Sequence, residues 1–214
     1  MAVHPGHDTP YVAGRAPSAA ARAVVAEAQR EDALPLLLVC GGPLTNVADA
    51  LDADPGLAGR LVLIWVGGSL ADGVAEYNRD TDPAAAARVW ADPRLEVWQF
   101  PLETYRRCTF SVAELEHDLG GAGEVGAWLW RQYVDLPIPG SVDVSPVWPL
   151  GDSPPVLVTA LGEETCTWQE SSRPSGARLR VATEVDVRLL VGDLLARLRG
   201  AQNRSAHRDP RPRA

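Results

Sequence analysis

The chain has 214 residues, 46% of them hydrophobic and 22% charged, a globular balance that excludes a wholly disordered, collagenous or coiled-coil protein. Its 28 acidic residues outnumber 20 basic ones, all of them arginine, and the net charge is −8. So acidic a surface repels phosphate backbones and excludes nucleic acid as the expected partner.

Residues 1–17, rich in Pro, Gly and His, read as a loop. From Ser18 to Arg30, Ala and Val recur at helical spacing, which predicts a helix. Leu34 to Cys40 is a short apolar run ended by Gly41-Gly42-Pro43, and a run apolar on both faces suits a central strand of a parallel sheet. Thr45 or Asn46 is placed to cap a helix from Val47 to Leu51. Arg60 to Val66 reads as a second strand closed by Gly67-Gly68. Asp82 then caps an Ala-rich helix with Pro83 in its first turn, where a missing N–H costs nothing. Leu95 to Phe100 is a third strand.

Beyond Phe110 the pattern turns helical. Ser111 with Glu114 forms a capping-box start, and Glu124 to Leu136 predicts a helix with Trp128, Leu129 and Tyr133 on one face. Leu136 to Pro149 is a Pro-rich loop, and Asp152-Ser-Pro-Pro155 opens a helix to Leu161. Thr165–Gln169 and Arg178–Val185 are strand candidates, and Asp186 to Arg199 a closing helix. This order predicts an α/β fold, a mostly parallel open sheet flanked by helices. A single domain is expected over residues 1–199, with the Arg/Pro-rich residues 200–214 a disordered tail.

Three scattered cysteines, Cys40, Cys108 and Cys166, make no paired metal motif and point to a reducing compartment. No run reaches the ~20 apolar residues of a membrane span, and Met1 to Thr9 lacks the features of a secretory signal. The expectation is a soluble, cytoplasmic protein with no membrane partner.

In an open α/β sheet, ligands bind beyond the carboxyl ends of the strands. Three segments qualify: Gly41–Asn46, Glu76-Tyr77-Asn78 and Gly151-Asp152-Ser153. Each alone also reads as a polar cap or a surface loop. Together, Gly42–Ala48 (Gly-Pro-Leu-Thr-Asn-Val-Ala), Trp65-Val-Gly-Gly68, Ala75-Glu-Tyr-Asn78 and Asp82-Pro-Ala-Ala-Ala86 resemble the inosine-uridine-preferring nucleoside hydrolase family in order and spacing. Leu150-Gly-Asp-Ser-Pro154 falls where that family has its late metal-binding Asp.

The resemblance implies a Ca²⁺-dependent N-ribohydrolase that splits a ribonucleoside into ribose and free base, in nucleoside catabolism and salvage, with association into a homo-oligomer. Carried over position by position, Asp152 and the Gly41 carbonyl would hold the metal, while Glu76 and Asn78 would bond the ribose hydroxyls. Hard oxygen donors suit Ca²⁺, and a carboxylate with an amide suits a sugar diol.

The family's early Asp-x-Asp-x-x-x-Asp-Asp stretch, which supplies further metal ligands and the catalytic base, is absent from this sequence. No catalytic base is therefore identifiable. Only 40 residues precede Gly41, so the family's first strands are expected to be lacking, leaving an unpaired sheet edge and an impaired enzyme. Gly151 stands where some members carry a His able to serve the leaving base, and Asp72 is a weak counterpart for a sugar-contacting Asn. His4, His7, His117 and His207 are expected to face solvent. Trp128, Trp130, Tyr133 and Trp148 could stack a base, though that spacing also suits core packing.

The alternative is a non-catalytic remnant, or a sugar- or nucleoside-binding module of the same fold. A dinucleotide-binding protein fits less well, because Gly41-Gly42-Pro43 does not make Gly-x-Gly-x-x-Gly. A phosphate loop is excluded by the absence of lysine. Base preference depends on later loops that spacing does not define.

Overall fold

Local signals set most element boundaries in the computed structural model, which describes residues 2–135 and 146–208, the last six in backbone only. Ser18 accepts from Ala21 N and starts α1 (Ala19–Ala28). After β1 (Leu36–Cys40), α2 runs from Thr45 to Ala53. Its N-cap is Leu44, without a side-chain bond, so neither Thr45 nor Asn46 caps as expected. Distant partners claim both side chains: Thr45 Oγ1 donates to Asp82 over 2.6 Å, and Asn46 Oδ1 accepts from Ser18 Oγ over 3.1 Å.

The chain continues through β2 (Leu61–Val66), α3 (Tyr77–Thr81), α4 (Pro83–Ala91) and β3 (Glu96–Phe100). Asp82 caps α4 as expected, accepting from Ala85 N at 3.0 Å. Then come α5 (Leu102–Tyr105), β4 (Thr109–Ser111), α6 (Val112–Gly120) and α7 (Gly123–Val134). Ser111 caps α6 through Glu114 N. Of the expected Pro-rich loop, 136–145 lie outside the described residues, while Val147–Pro149 form β5, antiparallel to β4.

The helix expected up to Leu161 is a π-helix at Leu157–Leu161. β6 (Cys166–Ser172), β7 (Arg178–Val185) and α8 (Val187–Arg208) complete the order. Asp186 Oδ1 accepts from Leu189 N at 2.8 Å, fixing the start of α8. Its end corrects the expected boundary at Arg199: the backbone stays helical to Arg208, because no proline interrupts the Ala, Gln and Arg-containing stretch before Pro210. No helix among the described residues is long and apolar enough to cross a membrane.

The main sheet has the order β1-β2-β3-β7-β6, parallel except for β6 against β7. It is an open α/β sheet, mostly parallel, as the element order predicts. β1 corrects the expectation of a central strand, since among the described residues it pairs only with β2 and Val39 remains 46% exposed. An apolar run reports what packs above and below a strand, not what lies beside it.

Strand alternation divides the core. Leu61, Leu63 and Trp65 of β2 pack with Leu95 and Val97 against Val47, Leu51 and Val89 of α2 and α4. Ile64, Val66, Trp98 and Phe100 face the other way, onto Val158 and Ala182. A third cluster joins α6, α7 and α8 through Leu115, Leu119, Ala122 and Leu195. Here the expected face of α7 holds for Tyr133 but is corrected for Trp128, which is 52% exposed while Trp130 makes the contact. The rotation follows from the partners, since α6 closes onto α7 through a tight turn in which Gly126 packs against the Leu119 carbonyl.

Parallel register aligns the strand ends. Cys40 lies beside Trp65, and Trp65 beside Gln99, so the turns after β1, β2 and β3 emerge together at one end of the sheet.

Candidate functional site

At that end, Gly41, Val66, Glu76, Asn78, Tyr105 and Asp152 line one cleft of about 260 Å³, with Tyr77, Pro149 and Gly151 at its sides. The four residues proposed from sequence, Gly41, Glu76, Asn78 and Asp152, therefore meet, although they come from four separate segments. Ligand pockets run from roughly 300 Å³ upward, so this space suits one sugar ring rather than a large ligand.

Asn78 sits on the first turn of α3 and is buried. Its amide nitrogen donates to Val66 O at 2.8 Å and to Gly41 O at 3.4 Å. One side chain thus ties the end of β2 to the turn after β1, and it holds the Gly41 carbonyl toward the cleft.

Glu76 is the N-cap of α3 and 2% exposed. Its Oε2 accepts from Gly68 N at 2.7 Å and Arg79 N at 2.9 Å, and its Oε1 from Asn78 N at 3.2 Å and Tyr105 Oη at 3.0 Å. A carboxylate offers about four lone-pair sites, so protein donors occupy all of them here. The close approach of Gly68 N requires a left-handed turn at Gly68, φ +73°, a conformation open to glycine.

Asp152 differs. It accepts no helix N–H, so the reading of this residue as a helix cap does not hold. The described side chains give its carboxylate neither a hydrogen bond nor an ion pair. Partial burial raises its carboxyl above the ordinary carboxylate range. A Cβ on Gly41 would lie 3.1 Å from the Asp152 Cγ and Oδ1, so the carboxylate sits close over that turn and a larger residue would push it back by a few tenths of an ångström. Cys40, beside it, has its thiol pushed up chiefly by burial, which outweighs an opposing backbone hydrogen bond with Gly42, while the Asp152 charge adds to the rise.

Other sequence candidates fall elsewhere. Asp72 does not line the cleft. Trp130, Tyr133 and Trp148 pack on one another in the α6–α7–α8 cluster, with ring centroids 6.3 and 5.5 Å apart, and none of them borders the cleft. His4, His7 and His117 are exposed, though the His7 ring approaches Asp49 to 3.6 Å; the side chain of His207 lies outside the described residues. Tyr105, absent from the sequence candidates, was detectable only as a polar residue shortly after the carboxyl end of a strand.

Beside the cleft, Asp82 fastens three segments, accepting from Tyr11 N at 2.7 Å as well as from Thr45 and Ala85. Burial opposes its charge, but these three bonds outweigh burial and hold its carboxyl below the ordinary range. A lowered folded value gives stability that is complete above the unfolded Asp value, about 3.9, and is lost as pH falls through the folded one. Asp82→Asn keeps an oxygen to cap Ala85 N but sets an amide nitrogen against Tyr11 N and Thr45, and is expected to lose about 1–3 kcal/mol at pH 7, as for a buried donor left without an acceptor. Its difference from wild type should shrink as pH falls below the unfolded Asp value of about 3.9, as followed by urea denaturation; a constant difference would contradict the assignment.

The donor set was weighed for Ca²⁺. The cleft offers one unengaged carboxylate, Asp152, and one carbonyl, Gly41 O, against six to eight oxygens in usual Ca²⁺ sites. Among the described residues no three His, Cys, Asp or Glu side chains cluster to hold a metal. These donors alone do not fit the ion.

A family model described as inosine-uridine preferring nucleoside hydrolase matches residues 5–206. Among solved structures, the chain is similar to an inosine-uridine preferring nucleoside hydrolase from Bacillus anthracis, at 22% identity and TM-score 0.63, covering 88% of this chain and 66% of that one. It is similar to a purine-preferring ribonucleoside hydrolase from Gardnerella vaginalis at 19% identity and TM-score 0.59, covering 87% and 67%. A plant nucleoside hydrolase matches at 20% identity and TM-score 0.60, covering 90% and 71%. The chain thus spans about two thirds of the length of these relatives, and at such identities the likeness is one of fold. No curated protein matches it.

Proposed function

Because the chain belongs to the inosine-uridine preferring nucleoside hydrolase family, we propose that its cleft receives the ribose of a ribonucleoside, at the place where such a fold hydrolyses the N-glycosidic bond. The observation that carries this reading is the convergence of Gly41, Glu76, Asn78 and Asp152 on one cleft at the strand ends. Two carboxylates there suit a reaction whose transition state places positive charge on the sugar ring. Asn78 orients the Gly41 carbonyl, and Asp152, with no hydrogen-bond or ion-pair partner among the described residues, is the group left to meet the substrate or water.

The family is known for a metal ion, which when bound would activate water for attack on the sugar. The described residues supply too few donors for Ca²⁺, so no step of this chain's chemistry is routed through it. The same shortage supports a second reading, a nucleoside- or sugar-binding module with impaired turnover: three of Glu76's four donors are backbone N–H groups, and one free carboxylate is left. The partner in either case is a small-molecule ribonucleoside, and a cytoplasmic location and self-association are part of the same proposal.

Calorimetric titration with inosine and uridine, with and without CaCl₂, tests the cleft. Binding is expected, and Asp152→Ala should weaken it about tenfold, the effect of one hydrogen bond to a charged group. Chromatographic assay of free base should show slow release at most. Absence of binding would overturn the assignment, and rapid release abolished by a chelator would overturn the impairment.

A further inference from the structure

We propose that Tyr105 is a specificity-determining residue of this cleft, its hydroxyl occupying the one position on Glu76 that a ligand hydroxyl can take. The inference rests on the proposed reading of the cleft as a sugar site and adds the device that controls access to it. Of the four donors around the Glu76 carboxylate, Gly68 N, Asn78 N and Arg79 N are backbone groups. Two of them belong to the first turn of α3 and the third to the left-handed turn after β2, so none can leave without unwinding an element. The fourth is Tyr105 Oη, 3.0 Å from Oε1. It is a side chain, it lines the cleft, and rotation of its χ angles moves it away without touching the backbone.

A sugar hydroxyl reaching Glu76 must therefore replace the phenol. The phenol stays protonated and ready to donate, because burial first and the Glu76 bond second push it well above the ordinary tyrosine range. The ring packs close against Gly151: a Cβ there would lie 3.0 Å from Tyr105 Cδ2, so a larger residue would need the ring to give by a few tenths of an ångström. Residue 151 and Tyr105 thus share one space, and in this chain the aromatic ring fills it. Ligand binding exchanges one hydroxyl for another on the same lone pair, which lowers affinity and selects for ligands whose hydroxyl sits at the right place on the ring.

The test is calorimetric titration of the full chain with methyl β-D-ribofuranoside, a probe locked in the furanose form. Wild type, Tyr105→Phe and Tyr105→Leu are compared. Removing the competing hydroxyl in Tyr105→Phe should tighten binding about three- to tenfold, the factor one net hydrogen bond is worth. The gain should vanish for one of the 2-deoxy, 3-deoxy or 5-deoxy probes, the one lacking the hydroxyl that replaces the phenol. Tyr105→Leu should show the same hydroxyl dependence. Tyr105→Phe binding the probe equally well or more weakly would overturn the competition while leaving the sugar site in place. So would an equal gain for all the deoxy probes. Binding by neither wild type nor Tyr105→Phe would overturn the sugar-site reading itself, and this inference with it.

Discussion

Glu76→Ala is expected to cost about 3–5 kcal/mol of folding stability, since an uncapped helix loses about 1 kcal/mol and each buried donor left without an acceptor about 1–3. Three backbone N–H groups and the Tyr105 hydroxyl all end on this carboxylate. Because Glu76 is 2% exposed, water has little room to replace it. The loss should appear as a lowered urea midpoint with an unchanged slope. Glu76→Gln separates shape from acceptor number: its amide nitrogen would face donors with another donor, so about half of the loss should remain. A loss below about 1 kcal/mol in Glu76→Ala, the typical cost of a single cap, would mean that the four bonds do not hold the turn. The functional consequence is that Glu76 shapes the cleft in the free protein before it can accept anything from a ligand.

Trp65→Ala is expected to be of similar size, about 3–5 kcal/mol, as for large aromatic truncations in cores. Trp65 is 1% exposed and meets Trp90 edge-on at 5.2 Å between ring centroids. Its indole N–H also donates to Gly42 O at 3.1 Å, and Gly67 packs so closely on the ring that a Cβ there would lie 2.4 Å from it. The same side chain therefore fills the core beneath α4 and pins the glycine turns after β1 and β2, which carry Gly41 to the cleft and Gly68 to Glu76. Trp65→Phe keeps most of the apolar contact and removes the hydrogen bond. It should cost less stability, about 1–2 kcal/mol, yet loosen the Gly41 turn, seen as faster amide exchange at Gly42 and Leu44. Unchanged exchange there would show that the indole bond does not position the turn.

Both predictions show why the site was only partly legible in the sequence. Asp82, Ser111 and Asp186 act as caps within three residues of their partners, so spacing alone reveals them. Ser18 does the same for α1. Glu76 also caps a helix, but its bonds to Gly68 and Tyr105 cross 8 and 29 residues, and no spacing rule reaches those. Thr45 looked like a cap and serves Asp82, 37 residues away. Trp128 looked buried and is exposed, because the orientation of α7 is chosen by α6 and α8 rather than by its own pattern.

What the sequence determined by itself was therefore local or repetitive: where strands and helices begin, the alternation that builds an α/β sheet, and the motifs shared with one family. Short-range hydrogen bonds and side-chain period carry those. The tertiary structure alone decided that Glu76 is saturated while Asp152 is not, and that Tyr105 shares their cleft. Each of these depends on which segments the parallel register brings together at the strand ends, a relation between residues far apart in the chain.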